Sequence, residues 1–572
     1  MIKKQKKSGD QHTKDVAMYL EQLIQEQSSL SQEQHPATIV AQFLFTQFPK
    51  TSEVKTKFDF KRADHHADLY IYQDEHIYPI HLFYLKKNTT IQPKNPGAKS
   101  FLHKYFGLTE SQHAFNALLD QARSKLFQDI AFHHGITDLY VSEAKLKKSI
   151  HALQLDETIL KAYRRRFLEG IRDHCYSLLL KSLNEHQSDF FRGFKHLSMI
   201  EEYKVIFIEE TSEIKLEQQT IQTFESVHLL KKNNSSIHIL VDNYELELRF
   251  KFESSLTSSI KVATKLSHTR ELTNQFQQKT KQLNAKWLNA FEDSLHTHTL
   301  LAHSNKSNAI GRCHEVLTLY QFIKHDSTIH LVDPTQVHQT LTVYYSYLEP
   351  NVLQQLIDSA DVTTSVLLDY LKNVYGQSQI EQVQLVSDSY VANKLETADI
   401  LLTLRYEQNL IELPLSLKAL KAHNSVMTIK NPGAGTILSY QYFDVFDEMQ
   451  EFIARIKEKY LVGLISRQEV LSEVSNEITR HLSAASQTSL VSGLKKMIGT
   501  NLSIVSFYQS LTCSIHPPIE VGGHIHVSQH SSTTTRLTWS NGNEYLNFRV
   551  KFSAGASHGW SSLKLSCERS VL

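Results

Sequence analysis

At 572 residues the chain exceeds what one hydrophobic core serves, so two or more domains are expected. Apolar residues make up 41% and charged residues 21%, as in ordinary globular proteins, and no stretch approaches the ~20 apolar residues that span a bilayer, so membrane partners are not expected. The net charge of +1 excludes an overall electrostatic grip on nucleic acid but leaves room for a local basic groove.

Cys175, Cys313, Cys513 and Cys567 are scattered and form no CxxC pair. A reducing cytoplasm without a structural zinc site is the expectation. The opening residues 1–12 are basic with no apolar run behind them, so a tail is expected there rather than a secretory leader. A helix is predicted from His12-Thr13 through Leu20, and another over Pro36 to Phe48. Two short β-favouring runs follow between Phe58 and Phe106, with an Asn95-Pro96-Gly97 turn behind them. Helices are predicted from about Glu110 through Arg166 to Leu197, then strands at Tyr203–Ile208, Ile237–Val241 and Glu245–Phe252. The second half has the same order. A helical run begins near Cys313, a hairpin spans Ala398–Lys418, helices run from Phe446 to Ile498, and strands fall between Ile525 and Leu565. This succession predicts an α+β, or mixed α/β, protein in which each domain is a small mixed sheet flanked by helices.

The halves also match residue by residue. Ala67-Asp68-Leu69-Tyr70-Ile71 corresponds to Ala398-Asp399-Ile400-Leu401-Leu402, and Pro79-Ile80-His81-Leu82 to Pro414-Leu415-Ser416-Leu417. Lys94-Asn95-Pro96-Gly97-Ala98 corresponds to Lys430-Asn431-Pro432-Gly433-Ala434, and Tyr105-Phe106 to Tyr442-Phe443. Asp15-Val16 and Glu315-Val316 stand 300 positions apart, as do Arg249, Lys251 and Arg549, Lys551. The conserved order predicts a tandem duplication of a unit of about 270 residues, too long a period for a solenoid. The expected division is a tail over 1–12, a first unit over 13–265, a linker over 266–304 and a second unit over 305–568.

The hairpin of the second unit carries the chemistry. With its turn near Glu407-Gln408, positions summing to about 815 oppose each other, which sets Asp399 against Ser416. Residues two apart share a face, so Lys418 joins them at the open end. A carboxylate and a lysine together suit a divalent ion beside a phosphate or an attacking water. In the first unit His81 and Phe83 stand where Ser416 and Lys418 stand, so the lysine is lost there. Lys86 or Lys87 could replace it only by a change of register.

Asp399 with Ser416-Leu417-Lys418 resembles the PD-(D/E)xK nuclease superfamily, which includes many restriction endonucleases. The resemblance covers this hairpin and an upstream helix. Its departure is Ser416, where a carboxylate is commoner; Glu412 or a helix glutamate would have to supply the missing acid. Members of the superfamily often place a glutamate on the first helix facing the metal, and Glu315 matches that role. The resemblance implies a metal-dependent DNA endonuclease of restriction or phage-defence type, using Mg²⁺ held by Asp399 and Glu315. Lys418 would orient or deprotonate the attacking water, and Ser416 would hold a water on the ion.

DNA contacts are expected from Lys306 and Arg312, in the polar segment entering that first helix, since helix N-termini favour phosphate. Lys430 beside the Asn-Pro-Gly turn, and Arg549 with Lys551 on one strand face, are further candidates. The plain alternatives are a first-turn acid at Glu315, simple turn chemistry at Asn-Pro-Gly-Ala, and a solvated face at Arg549 and Lys551. The His296, His298, His303 group and the His524, His526, His530 group have no cysteine or acidic partner at metal spacing, so surface use is expected. Arg164-Arg165-Arg166 reads as a phosphate patch or a solvated turn. No Gly-rich phosphate loop and no GxSxG elbow occurs. Two rival readings stay open. One is a catalytically inactive protein of two nuclease-like domains, binding nucleic acid or assembling with partners. The other is a component of a phage or virus particle. Self-association as a homodimer, or assembly with other subunits, is equally open.

Overall fold

A computed structural model of the chain describes residues 2–26, 35–61, 65–87, 94–136, 142–153, 155–219, 227–268, 272–297, 300, 306–387, 398–407, 409–422, 426–446, 448–499, 501–518, 520–539, 544–555 and 559–570. Helices and strands alternate in the mixed α+β order expected. The chain divides into two compact units, the first over Met1–Lys279 and the second from Thr280 onward. Among the described residues no helix is long and apolar enough to cross a membrane.

The first unit contains a five-stranded sheet of β1 (Glu53–Thr56), β2 (Leu69–Gln73), β3 (His76–Leu85), β4 (Tyr203–Ile208) and β5 (Glu213–Glu217), in that spatial order. Successive pairs are antiparallel, antiparallel, parallel and antiparallel. The helices Ile2–Glu26 and Pro36–Gln47 contribute Val16, Leu20, Leu23, Val40 and Leu44 to a core with Leu69, Ile71, Ile80, Val205 and Phe207. Residues 2–12, expected as a tail, are the first turns of that opening helix. The apolar stripe at Val16, Leu20 and Leu23 anchors the helix on the sheet, and the helix continues outward from the stripe. A second, antiparallel sheet is built from β6 (Val227–Lys232), β7 (Ser236–Val241), β8 (Tyr244–Phe252) and β9 (Ile260–His268). An isolated bridge joins Gly97 to Lys261 of β9.

The second unit has β10 (His330–Val332), β11 (Gln379–Leu385), β12 (Ile400–Tyr406), β13 (Asn409–Leu420), β14 (Val426–Lys430), β15 (Leu502–Phe507) and β16 (Thr512–His516). Its central sheet runs β10-β11-β12-β13-β15-β16. From β11 onward the pairs are antiparallel, antiparallel, parallel and antiparallel, the same series as in the first unit. Ile400 to Leu404 are buried without a break. That continuity fits a strand covered on both faces, not a half-exposed one. The helices Lys306–His325, Pro334–Tyr344 and Pro350–Tyr375 pack on this sheet through Val316, Leu317, Leu341, Leu356 and Leu367. The other sheet joins β14 to β20 (Leu563–Ser570), β19 (Glu544–Phe552), β18 (Thr534–Trp539) and β17 (His526–Ser531). In β19 the alternation is strict: Leu546, Phe548, Val550 and Phe552 turn inward, Arg549 and Lys551 away from them. A bridge joins Gly433 to Lys564 of β20.

The helix Leu272–His296 occupies most of the stretch read as a linker, and the division between the units falls within it. Trp287 and Phe291 explain why it is ordered. They pack at helical spacing in the second core, where Phe291 stacks on Tyr320 with ring centroids 5.0 Å apart.

Candidate active site

Asp399 immediately precedes β12 and is fixed through its backbone on both sides. Its N–H donates to the Leu415 carbonyl at 2.7 Å, and its carbonyl accepts from Val386 N–H at 3.0 Å. The ladder beside it pairs Ile400 with Leu415, so the next position outward sets Asp399 opposite Ser416. The hairpin closes between Tyr406 and Asn409, with Glu407 in the left-handed region at φ 55°. Gln408 lies outside the described residues.

Three donors converge on Asp399 Oδ2: the Leu417 backbone N–H at 2.7 Å, Ser416 Oγ at 3.2 Å and Lys418 Nζ at 3.4 Å. Glu315 approaches from the helix Lys306–His325 and is buried. Its carboxylate accepts from Arg312 Nη1 at 2.8 Å. Burial, and then the negative charge of Asp399, push the Glu315 pKa up to about 8; Arg312 and Lys418 only partly oppose this. The two acids are thus close enough to repel, although Lys418 and Arg312 each pair with one of them.

The donor set fits a divalent cation. The available donors are hard oxygens, two carboxylates and a hydroxyl, and an ion that keeps several of its own waters needs no more from the protein. Glu412, the other acid considered, lies four residues along β13 from Ser416, a separation of about 13 Å. It cannot share an ion with Asp399.

A cavity of about 820 Å³ opens over this group. Arg312, Glu315, Lys418, Lys430, Lys551 and Lys564 line it, so five of these six side chains are basic. Lys430 reaches the Lys496 carbonyl at 3.2 Å and lies over the Tyr442 ring. Burial, and then Arg549 nearby, lower the Lys551 pKa. The other sequence-derived contacts lie elsewhere. Lys306 pairs with Glu349 at 2.9 Å and Arg549 with Glu568, and neither lines the cavity. Ser304 and Asn305 lie outside the described residues, as do His298 and His303. The rings of His524 and His526 lie tilted with centroids 4.6 Å apart at the exposed strand β17. Lys564 was not singled out from the sequence. Its only signal there was alternation with Leu563 and Leu565.

The corresponding place in the first unit keeps the backbone and changes the chemistry. Asp68 N–H donates to the Ile80 carbonyl at 3.0 Å, and Asp68 Oδ2 accepts from Leu82 N–H at 3.2 Å. Its carboxylate pairs with Lys57 at 3.1 Å, and buried His81 follows Ile80 as Ser416 follows Leu415.

Comparison with proteins of known activity supplies the class: the chain belongs to the type II restriction enzymes. The relative that carries this is the Type II restriction enzyme BsuRI of Bacillus subtilis, 32% identical over 580 residues, with 99% of each chain covered. No family model and no solved structure matches the chain.

Proposed function

We propose that the chain is a Mg²⁺-dependent DNA endonuclease of the PD-(D/E)xK type, built from a tandem duplication in which the second unit cuts. The observation that carries this is the grouping of Asp399, Ser416, Lys418 and Glu315, the last two lining a basic cavity, in a chain related along its whole length to a restriction enzyme. Asp399 and Glu315 would hold the ion. When bound, the ion supplies Lewis acidity at the scissile phosphate and lowers the pKa of water beside it. Lys418, held against Asp399, orients the attacking water and offsets the charge that grows on the phosphate. Ser416 fixes Asp399 by its hydrogen bond and would offer its oxygen to a water beside it. Lys430, Lys551 and Lys564 receive the flanking phosphates, and Arg312 holds Glu315 in place.

Duplication is supported by the shared series of strand pairings and by the matching bridges Gly97–Lys261 and Gly433–Lys564. It is also supported by two equivalent close approaches. A Cβ on Gly193 would meet the Phe106 ring, and a Cβ on Gly493 would meet the Phe443 ring. Phe83 stands in the place of Lys418, so in this reading the first unit binds or positions and does not cut. The test is plasmid cleavage with Mg²⁺ and with EDTA. Metal-dependent double-strand breaks that disappear in Lys418→Ala are expected. Cleavage that survives EDTA or that substitution would refute the assignment.

A further inference from the structure

The first unit holds a partly buried cluster that the proposed cleavage site does not use. His66 comes from the stretch entering β2, His196 from the last turn of the helix Gln187–Ser198, and Glu202 from the residue before β4. Glu202 Oε1 lies 3.3 Å from His66 Nε2 and 2.8 Å from His196 Nδ1. The two imidazole rings face each other with centroids 4.2 Å apart, and one donor atom from each of the three residues falls within 4.8 Å of the others. A ring nitrogen of His81 holds the second oxygen, Glu202 Oε2. Lys94 Nζ is bonded to the His66 carbonyl and lies 3.3 Å from His81 Nδ1.

Two properties separate this cluster from an ordinary hydrogen-bonded histidine pair. The first is spacing. Ligands about 2.0–2.1 Å from a tetrahedral ion stand roughly 3.3 Å from each other, and here the carboxylate oxygen lies 3.3 and 2.8 Å from the two ring nitrogens, with all three donors inside 4.8 Å. The second is support behind the ligands. His81 fixes the carboxylate from outside, and Lys94 fixes the backbone that carries His66, as outer partners do around metal ligands.

We propose that His66 Nε2, His196 Nδ1 and Glu202 Oε1 form a site for a zinc-type divalent ion, with water in the fourth position. Two imidazoles and one carboxylate favour zinc or cobalt, where the oxygen-only donors of the second unit favour magnesium. The second unit cannot repeat the site. Counted from the same strand pairings, Asn501 precedes β15 where Glu202 precedes β4, and Lys496 follows Gly493 as His196 follows Gly193. The ion would tie the entry of β2, the end of a helix and the entry of β4 into one clamp. This inference does not depend on DNA cleavage.

The test uses the full chain, stripped of metal, with Asp399→Asn introduced to silence the oxygen site. Equilibrium dialysis against Zn²⁺ should give one tightly bound ion per chain. Affinity should fall roughly 100-fold or more in His196→Gln and in Glu202→Gln, each added to that background, with unchanged far-ultraviolet circular dichroism. The wild-type chain gives a reading that needs no variant. Co²⁺ should produce the intense visible absorption of a four-coordinate site, and Zn²⁺ should displace it. Failure of the wild-type chain to take up Zn²⁺, a weak six-coordinate Co²⁺ spectrum alone, or equal uptake by both folded variants would overturn the proposal.

Discussion

Ser416 Oγ donates to Asp399 Oδ2 at 3.2 Å across the mouth of the β12–β13 hairpin. This puts a neutral hydroxyl where a second hard ligand could stand. Replacing it by Ser416→Glu adds an oxygen ligand on the same strand face. Mg²⁺ binding, read by calorimetry, should tighten. Turnover need not rise, because the new carboxylate takes the place of water. Unchanged or weaker Mg²⁺ binding in a folded variant would place the ion away from this hairpin.

In the proposed site Lys418 would contribute charge and orientation rather than packing, and its side chain is only partly buried. Lys418→Ala should lower the single-turnover cleavage rate by about 10²–10⁴-fold while leaving the melting temperature nearly unchanged. Asp68→Ala, in the unit whose corresponding position is Phe83, should leave most of the cleavage rate. Equal losses from the two substitutions would mean that both units carry the reaction.

Glu315 has a folded-state pKa of about 8 against an ordinary value of 4.5. The folded chain therefore keeps a proton that the unfolded chain releases. Stability from this group is present below about pH 4.5 and declines as pH rises toward about 8. Glu315→Gln removes the burden. In metal-free buffer at pH 8 it should gain on the order of 1 kcal/mol, or about 2–4 °C in Tm, while losing metal-dependent cleavage. Mg²⁺ should bind the wild type more tightly as pH rises through the same range, because the proton must leave first.

The basic cavity makes a prediction in salt. Lys551→Ala and Lys564→Ala should each reduce the slope of log affinity against log salt by about 1, measured with duplex DNA and Ca²⁺ in place of Mg²⁺. Lys306→Ala and Arg549→Ala should change it much less, since those side chains pair with Glu349 and Glu568 outside the cavity. A uniform effect of all four would show that DNA lies across a wider surface.

A Cβ on Gly493 would sit 2.2 Å from the Phe443 ring, and one on Gly193 would sit 2.0 Å from the Phe106 ring. Either ring must move to admit alanine. Gly493→Ala should cost about 1–3 kcal/mol in denaturant titration. Trimming the ring as well, by Phe443→Leu, should return part of that loss.

The hairpin was legible because its information is local. A short turn between two apolar runs fixes the register, and register fixes which side chains face each other. Glu315 came from resemblance, and its burial and charge could not be read from sequence. Glu202 was invisible for a different reason. It lies in Glu201-Glu202-Tyr203, which looks like a solvated acidic turn, and its partners His66 and His81 are more than a hundred residues away. Only the parallel β3–β4 pairing brings them together. Arg549 shows the converse. Its strand face was read correctly, but Glu568 on the neighbouring strand claims its charge.

The cavity also draws its basic residues from distant parts of the second unit. Lys418 lies 146 residues before Lys564, and both line the cavity. At about 5–20 residues per second, a ribosome needs roughly 7–30 s to pass from one to the other. For most of that interval the hairpin has Arg312 and Lys430 but lacks Lys551 and Lys564. A nascent chain would therefore carry the proposed cutting residues before the last two cavity lysines, and full affinity for DNA would wait until β20 is laid down.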